Sequence, residues 1–508
     1  MDLKSIRNEI DMLDDRIAHL LSKRMDLVSQ VAAVKKGSGA PVRDNAREDA
    51  IIARLSEQIG HRHASYIESV YRHIFDASRQ YQAQLLSRKS EDLPGLSYGL
   101  IGEKLGHSYS PMIHQALADY EYVLHPLSPD QLPAFFRESP FKGINVTIPY
   151  KKHALDYCDL LSDDAREIGC VNTVVRMPDG RLMGHNTDIA GFMEMVNNAG
   201  IPVAGKKAVI LGSGGTSLTA RLALARMGAG QITVISRSTR PDYDDLYRDF
   251  ADAQVLVNTT PVGMYPNNGQ CPADLSRLPR LESVVDVIYN PEKTALILSA
   301  QQRGLHCVSG LSMLVAQARL AAEIFTGRAI PQSRTNEIVS AIRAKTLNLV
   351  LVGMPGSGKT TIGQKLAERM HRPFFDADQE IEKAAGKTIP DIFATDGEEA
   401  FRCLESTVLQ ALCKKNGCLI ATGGGAVLRR ENQNAIRQNG IVCRVSRPLD
   451  HLDTAGRPLS VDAAALARLS KEREPIYCQI ADFTVENTSA PEQAVNAALE
   501  GFYETLDS

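Results

Sequence analysis

The sequence predicts a multidomain chain: an all-helical segment first, then two α/β segments, the second opening on a phosphate-binding loop. Three observations carry this. Up to about residue 88, apolar positions recur at alternating spacings of three and four, the period of a helix with a coiled-coil-like seam. From residue 96 onward short β-prone runs alternate with helical stretches, once over 96–345 and again over 346–508, the pattern of layered α/β domains. Finally, Gly353-Met354-Pro355-Gly356-Ser357-Gly358-Lys359-Thr360 reads G-x-x-x-x-G-K-T, between the apolar run Leu347–Val352 and a helical pattern over Thr361–Met370. That is the strand–loop–helix setting this motif requires. The expected domains are 1–92, 96–345 and 346–508, the middle one divided into 96–200, 201–310 and returning helices over 311–345. The joints are Ser90–Gly95 and a polar stretch around Arg328–Thr346, neither of them a long tether.

Composition narrows the classes. A chain of 508 residues suits roughly two to four domains, and 44% hydrophobic with 23% charged residues is ordinary for globular protein. A net charge of −3 makes no electrostatic case for nucleic acid or an anionic membrane. Nine cysteines, an odd number without a C-x-x-C pair, argue against a disulfide framework and a zinc site. The start is charged and amphipathic rather than a signal peptide, and no apolar run approaches membrane-spanning length. The expected location is cytoplasmic.

In the first segment the seam runs Leu3, Ile6, Ile10, Leu13, Ile17, Leu20, Leu27, Val31 and Val34, with Arg24 where an apolar residue belongs. A cation in a buried stripe is costly unless an anion meets it. Arg7 and Lys35 flank the same stripe, roughly 42 Å apart along one helix, so both reach one small ligand only if two chains run antiparallel. Taken singly, each is equally compatible with a solvated flank residue. After Gly37–Pro41 come Asp44, Arg47 and Glu48, and a later helix puts Ser78 and Gln82 one turn apart. This arrangement resembles the all-helical chorismate mutase family over nearly all of residues 1–88. The resemblance implies that Arg7, Arg24, Lys35, Asp44, Arg47, Glu48, Ser78 and Gln82 bind chorismate in a site shared by two intertwined chains, with Lys35 and Gln82 at the ether oxygen. It implies a homodimer through this domain. A pericyclic rearrangement needs no nucleophile, only a held conformer and a stabilised breaking C–O bond.

In the middle segment, Lys207–Leu211 is a short apolar strand leading into Gly212-Ser213-Gly214-Gly215-Thr216-Ser217 and a helix through Arg226, a dinucleotide-binding turn. The next strand, Ile232–Ile235, ends in Ser236-Arg237-Ser238 with no acidic residue, which favours NADP over NAD. Upstream lie Ser108, Ser110, Asn145, Thr147, Lys151, Asn172 and Asp188, and downstream Thr260, Met264, Tyr289, Gly310 and Gln317. Each alone suits ordinary turn chemistry. Together, and in this order, they resemble shikimate dehydrogenase over about 240 residues, with small departures at Tyr150 and Ser312. The resemblance implies an α/β substrate domain joined to a Rossmann domain, and reversible hydride transfer between NADPH and 3-dehydroshikimate. Lys151 paired with Asp188 is the implied proton donor. Ser108, Ser110, Asn145, Thr147, Asn172, Tyr289 and Gln317 are the substrate contacts; Gly212 to Thr216, Ser236 to Ser238, Thr260, Met264 and Gly310 are the cofactor contacts.

In the last segment the loop glycines let backbone N–H groups turn toward phosphate oxygens, with Lys359 reaching the terminal phosphates and Thr360 placed for Mg²⁺. Phe375-Asp376-Ala377-Asp378 ends a second strand, followed by Arg402, Gly423-Gly424-Gly425, Arg457 and Arg473. Arginines suit a carboxylate two donors at a time, although any one of them is equally compatible with a structural ion pair. The set resembles shikimate kinase over 346–508, an α/β P-loop kinase domain. The resemblance implies ATP on Gly356, Ser357, Gly358, Lys359, Thr360, Thr361 and Arg457. It implies Mg²⁺ on Thr360 and Asp376, and shikimate on Asp378, Arg402, Gly423, Gly424, Gly425 and Arg473, with Asp378 orienting the hydroxyl. Arg457 is the charge-stabilising lid arginine, in a lid (Ser446–Ser460) that is shorter than usual and has Asp453 where a basic residue is common. The expectation for the whole is a trifunctional enzyme of aromatic amino acid biosynthesis. The alternative is a bifunctional dehydrogenase–kinase whose helical domain only senses chorismate or prephenate, or dimerises the chain.

Overall fold

The computed structural model describes residues 13–14, 16–17, 20–21, 23–25, 27–28, 45–59, 67–75, 78, 97–106, 108–238, 240–452, 463–488 and 490–507. The chain divides into two compact units, Met1–Leu96 and Ser97–Ser508.

The described residues of the first unit are all helical. The helix Asn45–Ile59 contains neither glycine nor proline and half-buries Ile51, Ile52 and Leu55 on one face. Val28 and Phe75 are buried, whereas the seam residues Leu13, Ile17, Leu20 and Leu27 are 52% to 60% exposed.

The second unit holds three sheets. Strands β1 (Tyr98–Gly102), β2 (Tyr122–Pro126), β3 (Gly143–Val146), β4 (Leu160–Leu161), β5 (Thr173–Arg176) and β6 (Leu182–His185) form the order β2-β1-β3-β5-β6-β4. The pairs β3–β5 and β5–β6 are antiparallel. Helix Asp188–Asn198 then leads to an all-parallel sheet, β11-β10-β9-β7-β8. Its strands are β7 (Lys207–Leu211), β8 (Gln231–Ile235), β9 (Val255–Asn258), β10 (Ser283–Asp286) and β11 (His306–Val308). The third, also parallel, is β13-β14-β12-β15-β16, from β12 (Asn348–Val352), β13 (Phe374–Asp376), β14 (Leu419–Ala421), β15 (Gly440–Ser446) and β16 (Phe483–Glu486). Strands covered on both faces read as unbroken apolar runs, and β9 and β12 are buried throughout. In both parallel sheets the first strand lies inside, so the chain crosses from one side of it to the other. That switch opens a crevice at the strand C-termini.

The polar stretch Arg328–Thr346, which overlaps the returning helices expected over 311–345, is mostly the helix Ser333–Thr346. Its Ile338, Val339 and Ile342 pack with Ile113, Leu311 and Val315, while Ala344 and Leu347 join the core under the third sheet. Leu347 alone separates this helix from β12. Arg372 closes the helix end, donating to Ala344 O and, at 2.8 Å, to Leu347 O, as a cation at a helix C-terminus should. One correction concerns Asp378. Strand β13 stops at Asp376, whose carboxylate accepts the Asp378 N–H at 3.0 Å and caps helix Ala377–Ala385, so Asp378 sits in a helical first turn. All nine cysteines are free thiols. Among the described residues no helix is long and apolar enough to cross a membrane.

Candidate active sites

Strand β3 ends in Asn145 and Val146, β5 begins beside Asn172, and Asp188 opens the next helix. Their polar ends meet. Lys151 Nζ donates to Asp188 Oδ2 at 2.6 Å, and Asn172 Nδ2 donates to Asp188 Oδ1 at 2.9 Å. Asn172 is itself fixed, its Oδ1 accepting the Thr187 N–H at 2.8 Å. Asn145 donates to Thr173 Oγ1 at 3.0 Å and accepts from the Tyr122 hydroxyl at 2.7 Å. Ser108 and Ser110 share a hydrogen bond of 3.1 Å. Lys151, Asp188, Asn172, Asn145, Ser108 and Ser110 line one cleft of about 390 Å³ with Thr147, Tyr289 and Gln317, and Thr216 and Gly310 from the expected cofactor set also line it. A Cβ on Gly310 would lie 2.0 Å from Val287 O, so no larger residue fits there. Two contributors carried no motif. Tyr122 orients Asn145, and the buried His114 stacks on the Tyr122 ring with centroids 3.8 Å apart. Burial pushes the His114 imidazole down to about 3. Tyr150, a departure from the family pattern, is a buried strut whose hydroxyl donates to Leu127 O at 2.6 Å.

The remaining residues expected to hold the cofactor follow the C-terminal ends of β7, β8 and β9. Gly212 has φ +103, and a Cβ there would meet Thr260 Cγ2 at 2.9 Å. Gly214 and Gly215 face open space at the start of helix Gly215–Arg226, the setting for a phosphate at a helix N-terminus. Ser236 Oγ joins Ser213 and Ser238 through contacts of 3.0 Å each, with Arg237 exposed beside them. Hydroxyls and a cation without a carboxylate fit a ribose 2′-phosphate. Thr260 is held by Asn258 at 2.7 Å, and Met264 is exposed on the loop beyond.

The second cleft, of about 520 Å³, joins Gly356, Gly358, Lys359, Thr360, Thr361, Asp376, Asp378, Arg402, Gly423, Gly424, Gly425 and Arg473. Gly356 and Gly358 have φ +80 and +96, which side-chain-bearing residues adopt only with strain. Asn487 Nδ2 donates to Ser357 O at 2.8 Å and braces the loop. The buried Ser357 hydroxyl has no partner among the described residues, which suits a phosphate oxygen. Lys359 Nζ donates to Gly353 O and Met354 O at 2.9 and 3.0 Å, and Thr360 Oγ1 to Asp376 Oδ2 at 2.7 Å. Arg402 and Arg473 are both buried. Arg402 is bound at 2.8 Å to Glu405, a buried partner that sequence reasoning missed, although the spacing of three on one helix signals it. Burial lifts the Glu405 carboxyl above its usual range against the pull of Arg402. Arg447, also missed, lines the cleft and reaches Gly356 O at 3.4 Å. Arg457 lies outside the described residues. Among those residues no group of three or more His, Cys, Asp or Glu is arranged to hold a metal.

In the first unit Arg24 and Ser78 meet, Arg24 Nη1 donating to Ser78 Oγ at 2.5 Å over a guanidinium–Phe75 contact of 5.5 Å. Arg47 and Glu48 stand at the start of helix Asn45–Ile59. Arg7, Lys35, Asp44 and Gln82 lie outside the described residues.

Comparison with known proteins finds three family matches along the chain. Residues 6–83 match the family of chorismate mutase type II, 100–174 the shikimate dehydrogenase substrate binding domain, and 355–502 shikimate kinase. The NADP(+) shikimate dehydrogenase of Clostridium perfringens strain 13 is 34% identical over 272 residues, covering 49% of this chain and 98% of the relative. That of Methanopyrus kandleri is 35% identical over 272 residues, covering 47% and 93%. Among solved structures, a chorismate mutase/shikimate 5-dehydrogenase fusion protein from Clostridium acetobutylicum is 35% identical with a TM-score of 0.45, over 48% of this chain and 96% of that one. The chain belongs to the shikimate dehydrogenase family, with a chorismate mutase type II segment before that part and a shikimate kinase segment after it.

Proposed function

We propose that this chain is a trifunctional shikimate-pathway enzyme that rearranges chorismate to prephenate, reduces 3-dehydroshikimate to shikimate, and phosphorylates shikimate. The observation that carries the dehydrogenase is the Lys151–Asp188 pair at 2.6 Å inside a cleft lined from both flanking domains. NADPH, when bound on the Gly212–Thr216 turn, the Ser236–Ser238 corner, Thr260 and Met264, supplies the hydride. Lys151, held by Asp188, gives a proton to the oxygen of the reduced carbonyl. Ser108, Ser110, Asn145, Thr147, Asn172, Tyr289 and Gln317 hold the acid's carboxylate and hydroxyls. In the kinase, backbone N–H groups of Gly356–Thr361 and the Lys359 ammonium bind the ATP phosphates, while Thr360 and Asp376 hold Mg²⁺. Arg402 and Arg473 hold the carboxylate of shikimate, Asp378 orients its hydroxyl, and Arg457 neutralises the transferred charge.

In the mutase, Arg24 and Ser78 belong to a site completed by a second chain. The exposed seam of Leu13, Ile17, Leu20 and Leu27 supports a homodimer that buries it. We place the enzyme in the cytoplasm, where its substrates are small metabolites. The decisive experiment supplies 3-dehydroshikimate, NADPH, ATP and Mg²⁺ to the purified chain. Shikimate 3-phosphate should form, and Lys359→Ala should stop the reaction at shikimate. A wild-type chain that oxidises no NADPH refutes the dehydrogenase assignment.

A further inference from the structure

The loop after β9 carries Thr260 and Met264, and then runs on through Tyr265 to Asn268 with much of its length exposed. An exposed connection of this kind is normally among the least ordered parts of a domain. Here its far end is tied to residues that lie within the shikimate kinase segment. The Tyr265 hydroxyl donates to Cys413 O at 3.3 Å, and Lys414 Nζ donates to Pro266 O at 3.0 Å. Asn268 makes a two-way pair with Gln438, its Nδ2 donating to Gln438 Oε1 and its carbonyl accepting from Gln438 Nε2, the latter at 2.9 Å. The Gln438 carbonyl accepts a third bond, from the Lys293 N–H at 2.8 Å. Gln438 is buried at the end of helix Arg430–Gln438, so these bonds are shielded from competing water.

Both reacting partners feel this anchorage. Tyr265 N donates to Asn290 O at 3.2 Å, which links the loop to the segment carrying Tyr289. Lys293 lies three residues beyond Asn290 in that same segment. The cofactor loop and the segment that follows the substrate tyrosine are therefore both tied to Gln438, beside the separate ties of the loop to Cys413 and Lys414.

We infer that Gln438 of the kinase segment is a positioning residue for the dehydrogenase, holding the Thr260–Asn268 loop against bound NADP(H). The inference rests on the proposal that Thr260 and Met264 contact the cofactor. It predicts that the kinase segment contributes to NADPH affinity without touching NADPH.

The test uses the full-length chain with Gln438→Ala, Asn268→Ala and the double variant, measuring dehydrogenase and kinase kinetics on each. Either single substitution should raise the KM for NADPH about three- to tenfold, with kcat and the kinase constants within about twofold. The double variant should show no rise beyond that of Gln438→Ala, because that substitution already removes both bonds between the Gln438 side chain and Asn268, including the one that Asn268→Ala removes. A merely structural role would move kinase constants and kcat together, or give additive effects. An unchanged NADPH KM in a folded Gln438→Ala chain overturns the inference, and so does additivity. If Gln438→Ala costs the chain its kinase activity, Asn268→Ala decides by the same KM criterion. Failure of the underlying dehydrogenase assignment is distinguishable, because wild-type protein would then oxidise no NADPH with 3-dehydroshikimate.

Discussion

Replacing Lys151 with alanine removes the ammonium held 2.6 Å from Asp188. The expected cost to catalysis follows from its role. Positioned general acids contribute about 10²- to 10⁴-fold, so the barrier should rise by about 3 to 5 kcal/mol at roughly 1.4 kcal/mol per tenfold. The cost to stability is much smaller. Asp188 keeps the Asn172 donor at 2.9 Å and its place in the first turn of helix Asp188–Asn198, where a carboxylate is favoured. The Lys151 side chain is itself 31% exposed, so losing the pair should cost about 1 kcal/mol or less. Steady-state NADPH oxidation with 3-dehydroshikimate should therefore fall a hundredfold or more, while NADP affinity, read by ligand fluorescence, stays within about twofold. Lys151→Arg sharpens the test, because guanidinium keeps the charge beside Asp188 but does not give up a proton. It should be nearly as slow as alanine. Turnover within about tenfold of wild type for Lys151→Ala, or near-normal turnover for Lys151→Arg, would refute the proton-donor role.

Gly425→Ala places a Cβ 2.5 Å from Arg402 Nη1 and 2.7 Å from Nη2. The displaced guanidinium should raise the kinase KM for shikimate about tenfold or more, with dehydrogenase kcat unchanged as the control. Asp376→Asn keeps an oxygen to cap Asp378 but loses the charge that accepts from Thr360, so the kinase should need more Mg²⁺ while urea stability barely moves; an unaltered Mg²⁺ titration would remove Asp376 from the metal site. If the proposed homodimer buries this seam, aspartate at Leu13, Ile17 and Leu20 together should leave the chain monomeric in sedimentation and abolish prephenate formation from chorismate. His114, whose imidazole is held down to about 3 against 6.5, refuses a proton that the unfolded chain accepts. Stability should therefore drop as pH falls from about 6.5 toward 3. Asp286, raised by burial to about 6 from 3.8, acts oppositely across about 4 to 6, so urea titrations of His114→Gln against wild type isolate the histidine contribution.

What the sequence disclosed, and what it hid, divides by the range of the constraint. The phosphate loop is legible because positive φ at Gly356 and Gly358 is a local demand that glycine meets, and because a central parallel strand must be apolar on both faces. Lys151 and Asp188 are recognisable for a different reason: each sits in its own short motif, although the bond joining them spans 37 residues. The helix Ser333–Thr346 was harder. Its apolar stripe is only Ile338, Val339 and Ile342 on a polar background, and what fixes its end is Arg372, reaching back 25 residues to Leu347. The same distance hides the residues that hold functional side chains in place. Tyr122 stands 23 residues from Asn145, and Asn487 stands 130 from the Ser357 carbonyl it braces. Neither has a spacing that period or motif could register. Glu405 is the instructive exception. A buried arginine needs an anion, and for the buried Arg402 an acid three residues along the same helix is the first place to look. Its pairing at 2.8 Å leaves Arg402 other N–H groups for a substrate carboxylate, since guanidinium carries five. Glu405 also fixes the plane in which those donors point, so the ion pair and the binding site are compatible readings of one residue.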